Sequence, residues 1–573
     1  MLSYLWPSRL PFRSQPISTS ASPPAFSASL LSQFPPSGSI PPSSPPNPHP
    51  LNSFWTTNFA SPLLDEGRDE PLPEQADVVV IGSGLTGICA IDRLVEQLTT
   101  SAGKEEVKIV VLEARQFCSG ATARNGGHLT SSPLLSFATL EATFGREEAI
   151  RCIQLEKYSI DWIIETCRKE GWTEEVELRV GGGNLHLFDT EEQAHHVRAQ
   201  LDAARNADQD LSGFEWLSPQ QVLDRYQATS KAGGLLIPGN NVYPLKLVAK
   251  LFERAQTRAN QSRSVSLSLF THCTVSSVNR PDRENPTYPW QVKTAPRGTI
   301  SARHVLHCTN GYLSSVLPQF STGPSRIYPT RGQVLSVVSH PESDPPTPTW
   351  PRFGNAFSAE DPYDIYMFQR SSPPSTSERR EIILGGCRDR SGAASRYEFG
   401  QSFDGEGSLN ERVGEGLKGY LDWQFPRLFP GSGDVEKEKR RGRWEVDMEW
   451  TGIMGFREGG IPIVGPVYLN GEVQDGQWVA AGYSGHGMPR APASGHLLAS
   501  LVYQALLNPT STAKEPQLPP HFPRHYLTTS TGLPDVEATV PGEDTLVAHG
   551  WVWVESPSKE KGIRREMSEK DLA

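Results

Sequence analysis

Two short apolar runs on either side of a helical stripe carry the strongest pattern in the chain. Val78 to Ile81 is apolar and β-branched throughout, as in a strand buried on both faces. Ile88, Ile91, Leu94, Val95 and Leu98 then recur at helical spacing. Lys108-Ile109-Val110-Val111-Leu112 supplies a second strand, so the order predicts a strand–helix–strand unit. Leu155, Tyr158, Trp162, Ile163 and Ile164 form an apolar stripe, which predicts a helix packed on the core around 150–168. Tyr363, Tyr366 and Phe368 alternate as on a strand; packing against helices is the expected role, an aromatic pocket wall the alternative.

At both ends the pattern fades. Residues 1–64 contain no Asp or Glu, and 37–50 is almost entirely Ser and Pro. Such a segment buries too little apolar surface to offset its chain entropy, so a disordered tail is expected over 1–64. Arg9 and Arg13 in a Ser-rich, acid-free stretch leave a targeting role as the alternative. A second largely disordered tail is expected over 508–573. Polar inserts at 281–289, 341–348, 371–380 and 431–443 read as surface loops.

Composition narrows the classes. The chain has 573 residues with 54 Lys+Arg and 65 Asp+Glu, a net charge of −11. A net-acidic chain without a basic block is a poor nucleic-acid binder. No apolar stretch is long enough to span a membrane. The 7 cysteines are scattered and none forms C-x-x-C, which argues against a disulfide framework and a structural zinc site. No metal is expected. A reduced, cytoplasmic setting is the simplest expectation, with mitochondrial as the alternative.

Gly82, Gly84 and Gly87 spell G-x-G-x-x-G between the first strand and its helix. Gly82 permits the turn, Gly84 lets backbone approach a diphosphate, and Gly87 lets the helix pack on the strand. Ser83, Leu85 and Thr86 complete that turn, where a helix N-terminus offers free N–H groups to an anion. Glu113 ends the second strand. An acid there accepts from both ribose hydroxyls and repels a 2′-phosphate, which disfavours NADP. Ala114 and Arg115 follow it, then Ser119-Gly120-Ala121-Thr122-Ala123-Arg124-Asn125-Gly126-Gly127-His128-Leu129. The small residues let backbone lie against a flat ring, and an Arg there can sit near phosphate.

This second stretch resembles the D-amino-acid oxidase-like superfamily of FAD-dependent oxidoreductases, most closely its γ-glutamylputrescine oxidase branch and similar fungal proteins. Further pieces follow in the same order. The strand around Val275 resembles the one whose backbone contacts adenine. Thr309-Asn310-Gly311 ends a strand that returns to the cofactor. Tyr328-Pro329-Thr330-Arg331 resembles the strand entering the substrate side. Trp450-Thr451-Gly452 through Gly465 resembles the W-x-G … P-x-I-G block. Gly482-Tyr483-Ser484-Gly485-His486-Gly487-Met488 resembles the last flavin-binding turn.

The resemblance implies an α/β fold: a Rossmann-like FAD-binding domain of the glutathione-reductase (GR2) type, plus a mostly antiparallel sheet as substrate domain. The expected FAD segments are 70–130, 235–320 and 450–505, and the substrate domain 131–234 and 321–449. It implies hydride transfer from the carbon beside an amine to flavin N5, with hydrolysis of the imine and return of electrons to oxygen or another acceptor. His128, Arg331 and His486 are the candidate catalytic residues. His128 meets the flavin or substrate, or only packs. Arg331 lines the substrate side, or only pairs with an acid. His486 stabilises reduced flavin electrostatically, or only builds the turn.

Relatives that grip a small carboxylate carry Arg two residues past the W-x-G glycine, or Lys three past the His of the last turn. Here those positions are Met454 and Pro489. An amine or a larger substrate is therefore expected over a small α-amino acid; Arg457 and Arg490 read either as replacement clamps or as surface arginines. The flavin-linking His of some relatives aligns with Arg124, and Met454–Pro462 holds no Cys, so FAD is expected to be non-covalent. Two alternatives stay open: an NAD-dependent dehydrogenase sharing the first strand–helix–strand unit, and a flavoprotein retained for binding or trafficking.

Overall fold

A computed structural model describes residues 41–100, 106–281, 285–339, 358–360, 365–370, 381–392, 398–425, 444–507 and 518–531. The β-branched run lies inside an eight-stranded sheet whose main path is Ile463–Leu469, Glu472–Ala481, Gly298–His307, Gln75–Ile81, Val107–Leu112 and Val265–Phe270. All neighbours on this path are parallel except the first pair. Val78 and Val80 pack on the helices Leu85–Thr100, Pro244–Asn260 and Ala491–Leu507. Val79 and Ile81 pack on the opposite face against Val275, Val278, Trp290 and Val292. Both faces are covered, which is why the run needed no polar position.

The second sheet runs Trp444–Phe456, Tyr328–Ser339, Glu381–Gly385, Tyr366–Gln369, Ser358–Glu360, Asn184–Leu187, Gly234–Ile237 and Glu215–Leu217. Its pairs are antiparallel except Ser358–Glu360 with Asn184–Leu187. Two expected boundaries move. Gly234–Ile237, at the start of the expected segment 235–320, belongs to this second sheet. Residues 450–456 also belong to it, because Trp444–Phe456 pairs with Tyr328–Ser339 along its whole length. Of the expected segment 450–505, the strand Ile463–Leu469 is the first to lie in the first sheet.

The stripe around 150–168 lies on the helix Arg146–Lys169, with Leu155, Ile163 and Ile164 buried. Tyr366 and Phe368 share the strand Tyr366–Gln369, while Tyr363 and the inserts 341–348, 371–380 and 431–443 lie outside the described residues.

Both tail boundaries need correction. Residues 41–64 are ordered. Ser43 is buried and its N–H donates to Ser314 Oγ at 2.8 Å, and Leu51 N donates to Asp404 O at 2.8 Å. Trp55 on the short helix Phe54–Thr57 is fully buried and donates to Asn125 O. Proline lacks a donor to satisfy, so a Ser/Pro segment can dock through few hydrogen bonds. Residues 518–531 are ordered too, with Phe522, His525 and Tyr526 buried. Residues 1–40, 508–517 and 532–573 lie outside the described residues. Among the described residues, no helix is long and apolar enough to cross a membrane, and no cluster suited to a metal is found.

Candidate functional site

A cleft opens at the carboxyl end of the parallel strands, where ligands of such sheets bind. Gly82 turns the chain with φ +105°, and a Cβ there would stand 2.8 Å from Cys308 O. A Cβ on Gly87 would stand 2.2 Å from Gly82 O, so only glycine lets the helix approach its strand. Leu85 N donates to Thr122 Oγ1 at 3.1 Å, tying the helix start to the following loop. Ser83 is a cross-link: its N and Oγ donate to Glu113 Oε2 at 3.1 and 2.7 Å, and its Oγ accepts from Cys118 N.

The cleft wall brings together most of the expected residues from four stretches. Gly82, Gly84, Leu85 and Thr86 come from the first turn, and Glu113, Ala114, Arg115, Gly120, Ala121, Thr122 and Asn125 from the second strand and its loop. Val275, Thr309 and Asn310 come from the third stretch, and Gly485, Gly487 and Met488 from the last turn. A long diphosphate-linked group suits this wall. Backbone is bare at Gly82 and Gly84, the helix N-terminus faces in, and Thr309 Oγ1 is a buried hydroxyl without a protein partner.

The other expected residues stand behind the wall. Gly311 lies against Met454 O, where a Cβ would come within 2.5 Å, and Gly482 N donates to Asn310 Oδ1 at 2.9 Å. A Cβ on Gly126 would meet the Tyr366 ring, and one on Gly127 would meet Val242 O. Ser119 O accepts from Arg115 and Arg124. Leu129 pairs with Asn240 in a two-stranded ribbon. Arg124, expected near a phosphate, acts in this structure as a staple between three stretches of chain. Its guanidinium is buried and donates to Ser119 O, Leu51 O and Thr451 O at 2.7–2.9 Å. Burial and the neighbouring Arg115 lower its pKa to about 10.

Arg331 does not reach the cleft wall. Its Nε donates to Glu398 Oε2 at 2.6 Å, the acid pair that competed with a substrate role. His128 also lies off the wall. Its Nε2 is 3.2 Å from Met367 O, and its ring meets Tyr366 and Phe368 edge-on at 5.4 and 6.1 Å. His486 projects from between two wall glycines toward Glu156 and Ser132. The two candidate carboxylate clamps are engaged as well. Arg457 is buried and donates to Ile461 O and Pro324 O, and Arg490 donates to Glu156 and Gly460 O.

Four of the residues missed by the sequence reading bear most on the site. Pro46 and Tyr312 line the cleft. Asp404 is fully buried beside Arg115, its Oδ2 2.7 Å from Nη1. Glu156 is fully buried. Glu156 alone had a legible signal: an acid four residues from both Cys152 and Ile160, on the apolar face of its helix.

Burial opposes the charge on Glu156, yet His486 and Arg490 hold its pKa to about 2. Glu148 is likewise held to about 2, with burial opposing and the His525 contacts prevailing. Both are depressed from 4.5, so their stabilisation is complete above about pH 4.5 and is lost as pH falls toward about 2. The urea midpoint is therefore expected to drop between about pH 6 and about pH 3. An unchanged midpoint would mean these carboxyls are not paired in solution.

Comparison with known proteins adds independent findings. The family described as FAD dependent oxidoreductase (DAO) matches residues 77–501. The probable oxidoreductase OrdL of Rhizobium meliloti (strain 1021) is 22% identical over 441 residues, 75% of this chain and 84% of that protein. The gamma-glutamylputrescine oxidoreductase of Escherichia coli (strain K12) is 28% identical over 268 residues, 46% of this chain and 54% of that protein. Among solved structures, glycine oxidase from Geobacillus kaustophilus superposes with a TM-score of 0.53 at 18% identity, covering 78% of this chain and 98% of that one. L-proline dehydrogenase from P. horikoshii gives 0.53 at 17%, covering 80% and 98%. These structural likenesses establish the fold.

Proposed function

The chain belongs to the FAD dependent oxidoreductase (DAO) family, and from that premise we propose that it oxidises a C–N bond of an amine or a larger amino acid with FAD held non-covalently. The nicotinamide-dependent alternative is set aside by the same family match. Bound FAD supplies the two-electron acceptor for a hydride. The chain's own part is to bind, orient and control protons. Gly82, Gly84, Leu85 and Thr86 hold the diphosphate by bare backbone and a helix N-terminus. Glu113 would take the ribose through Oε1, which keeps a lone pair beyond its contact with Arg115 N, while Ser83 N and Oγ occupy both lone pairs of Oε2. With FAD bound, Val275 would face the adenine, and Gly485, Gly487 and Met488 would close the flavin end.

The observation that carries the substrate reading is Met454 on the cleft wall, with Arg331, Arg457 and Arg490 each engaged by other protein groups. A small α-carboxylate buried there would lack a paired cation. The relatives act, by their names, on gamma-glutamylputrescine or on amino acids, and the former suits a wall without a clamp. The test is an anaerobic absorption spectrum of the purified protein, titrated with amines and amino acids. Bleaching of the flavin band by an extended amine, and not by glycine, is the expected result. Bleaching by glycine alone would overturn the substrate class, and a band that no compound bleaches would favour a redox-silent flavoprotein.

A further inference from the structure

Glu156 sits on the buried face of the helix Arg146–Lys169 with no exposed surface. A carboxylate there is costly unless it is paired. Groups from two other elements meet it. Its Oε1 accepts from Arg490 Nε at 2.8 Å. Its Oε2 accepts from Ser132 N at 3.0 Å and lies 3.1 Å from His486 Nε2. The same Nε2 lies 3.0 Å from Ser132 Oγ. Cys152, one turn earlier on the helix, and Tyr526, from the C-terminal segment, are the other titratable neighbours. Burial pushes the thiol up to about 12 and raises the phenol well above its usual range, so both stay neutral.

Glu156 is therefore ionised and has no proton to give. The proton between it and His486 must sit on Nε2, which leaves Nδ1 as the one imidazole nitrogen free to exchange. Gly485 and Gly487, on either side of His486, both line the cleft.

We infer that Glu156 is a positioning residue: it fixes His486 as the Nε2–H tautomer beside the cleft, so that Nδ1 takes a proton from the substrate's ammonium group. The inference rests on the amine-oxidising reading above. The step balances. The substrate N–H bond breaks, its electron pair stays on nitrogen, and an Nδ1–H bond forms. Glu156 stabilises the resulting imidazolium and keeps its own charge, as an acid behind a catalytic histidine does. The freed lone pair is what allows hydride loss from the adjacent carbon.

The test uses the FAD-loaded protein labelled with ¹⁵N-histidine, the His486 signals being those lost in His486→Gln. The wild type should show the Nε2–H tautomer. In Glu156→Gln the amide oxygen is drawn to Arg490, so its NH₂ faces Nε2 and the tautomer should shift toward Nδ1–H. Flavin reduction by substrate should then slow at least about tenfold, with FAD absorbance retained. A wild-type Nδ1–H tautomer, or an unchanged rate in Glu156→Gln, would overturn the inference. Should Glu156→Gln fail to fold, His486→Asn keeps Glu156 paired with Arg490, and a wild-type rate of flavin reduction in it would overturn the inference equally. Purified wild type without flavin would sink the functional reading instead, and the tautomer of the bare protein would still be measurable.

Discussion

Gly84→Asp is expected to abolish FAD retention while leaving the apoprotein folded. A Cβ at Gly84 meets nothing closer than Thr122 Oγ1 at 3.3 Å, so backbone and helix are not displaced. The added carboxylate would occupy the cleft wall where a diphosphate approaches bare backbone, placing like charges together in a partly dry site. Affinity should fall by about a hundredfold or more, roughly 3 kcal/mol. Equilibrium dialysis against FAD measures this, and circular dichroism of the apoprotein checks the fold. Gly87→Ala gives the contrast. Its Cβ would stand 2.2 Å from Gly82 O, a backbone atom that cannot swing away, so the apoprotein itself should lose stability. If Gly84→Asp retains flavin, the cleft does not hold the diphosphate at the glycine turn.

Those glycines were legible because local rules act there. A β-branched run, a turn needing positive φ and an amphipathic helix each leave a mark within a few residues. Glu113 was legible as the acid that ends the second strand, and Thr122, Val275 and Gly485 through the resemblance, which carries the long-range arrangement that spacing alone does not. What failed was long-range without a local mark. Residues 41–51 look like a solvated Ser/Pro tail, yet Pro46 lies on the cleft wall and Pro50 bridges to Gly405. Arg331 is readable as substrate-facing or paired until Glu398, some seventy positions on, is placed beside it. Trp444–Phe456 looked divided between domains because its W-x-G signal belongs to the cofactor side while its hydrogen bonds belong to the other sheet.

Asp404 is the sharpest case of that kind, and replacing it should have the largest effect on stability. Its Oδ2 lies 2.7 Å from Arg115 Nη1, 3.4 Å from the Tyr312 hydroxyl and 3.9 Å from Arg124 Nε, all in the interior. Its backbone oxygen accepts from Leu51 N, so the same residue pins the ordered N-terminal stretch. Asp404→Asn leaves two buried guanidiniums with no carboxylate between them, a loss of about 3–5 kcal/mol by the behaviour of other broken buried pairs. Arg115 lines the cleft, however, and an FAD diphosphate would bring negative charge toward it. The deficit should therefore be larger in the apoprotein than with saturating FAD, the reverse of a defect that merely spoils packing. Urea unfolding with and without FAD measures both numbers. Equal losses in the two states would show that Arg115 does not share its charge with the cofactor. Asp404→Asn combined with Arg115→Met should recover part of the apoprotein stability, because removing both members of a buried pair costs far less than removing one. The same double variant should bind FAD more weakly than the wild type, since the cation that faced the cleft is gone.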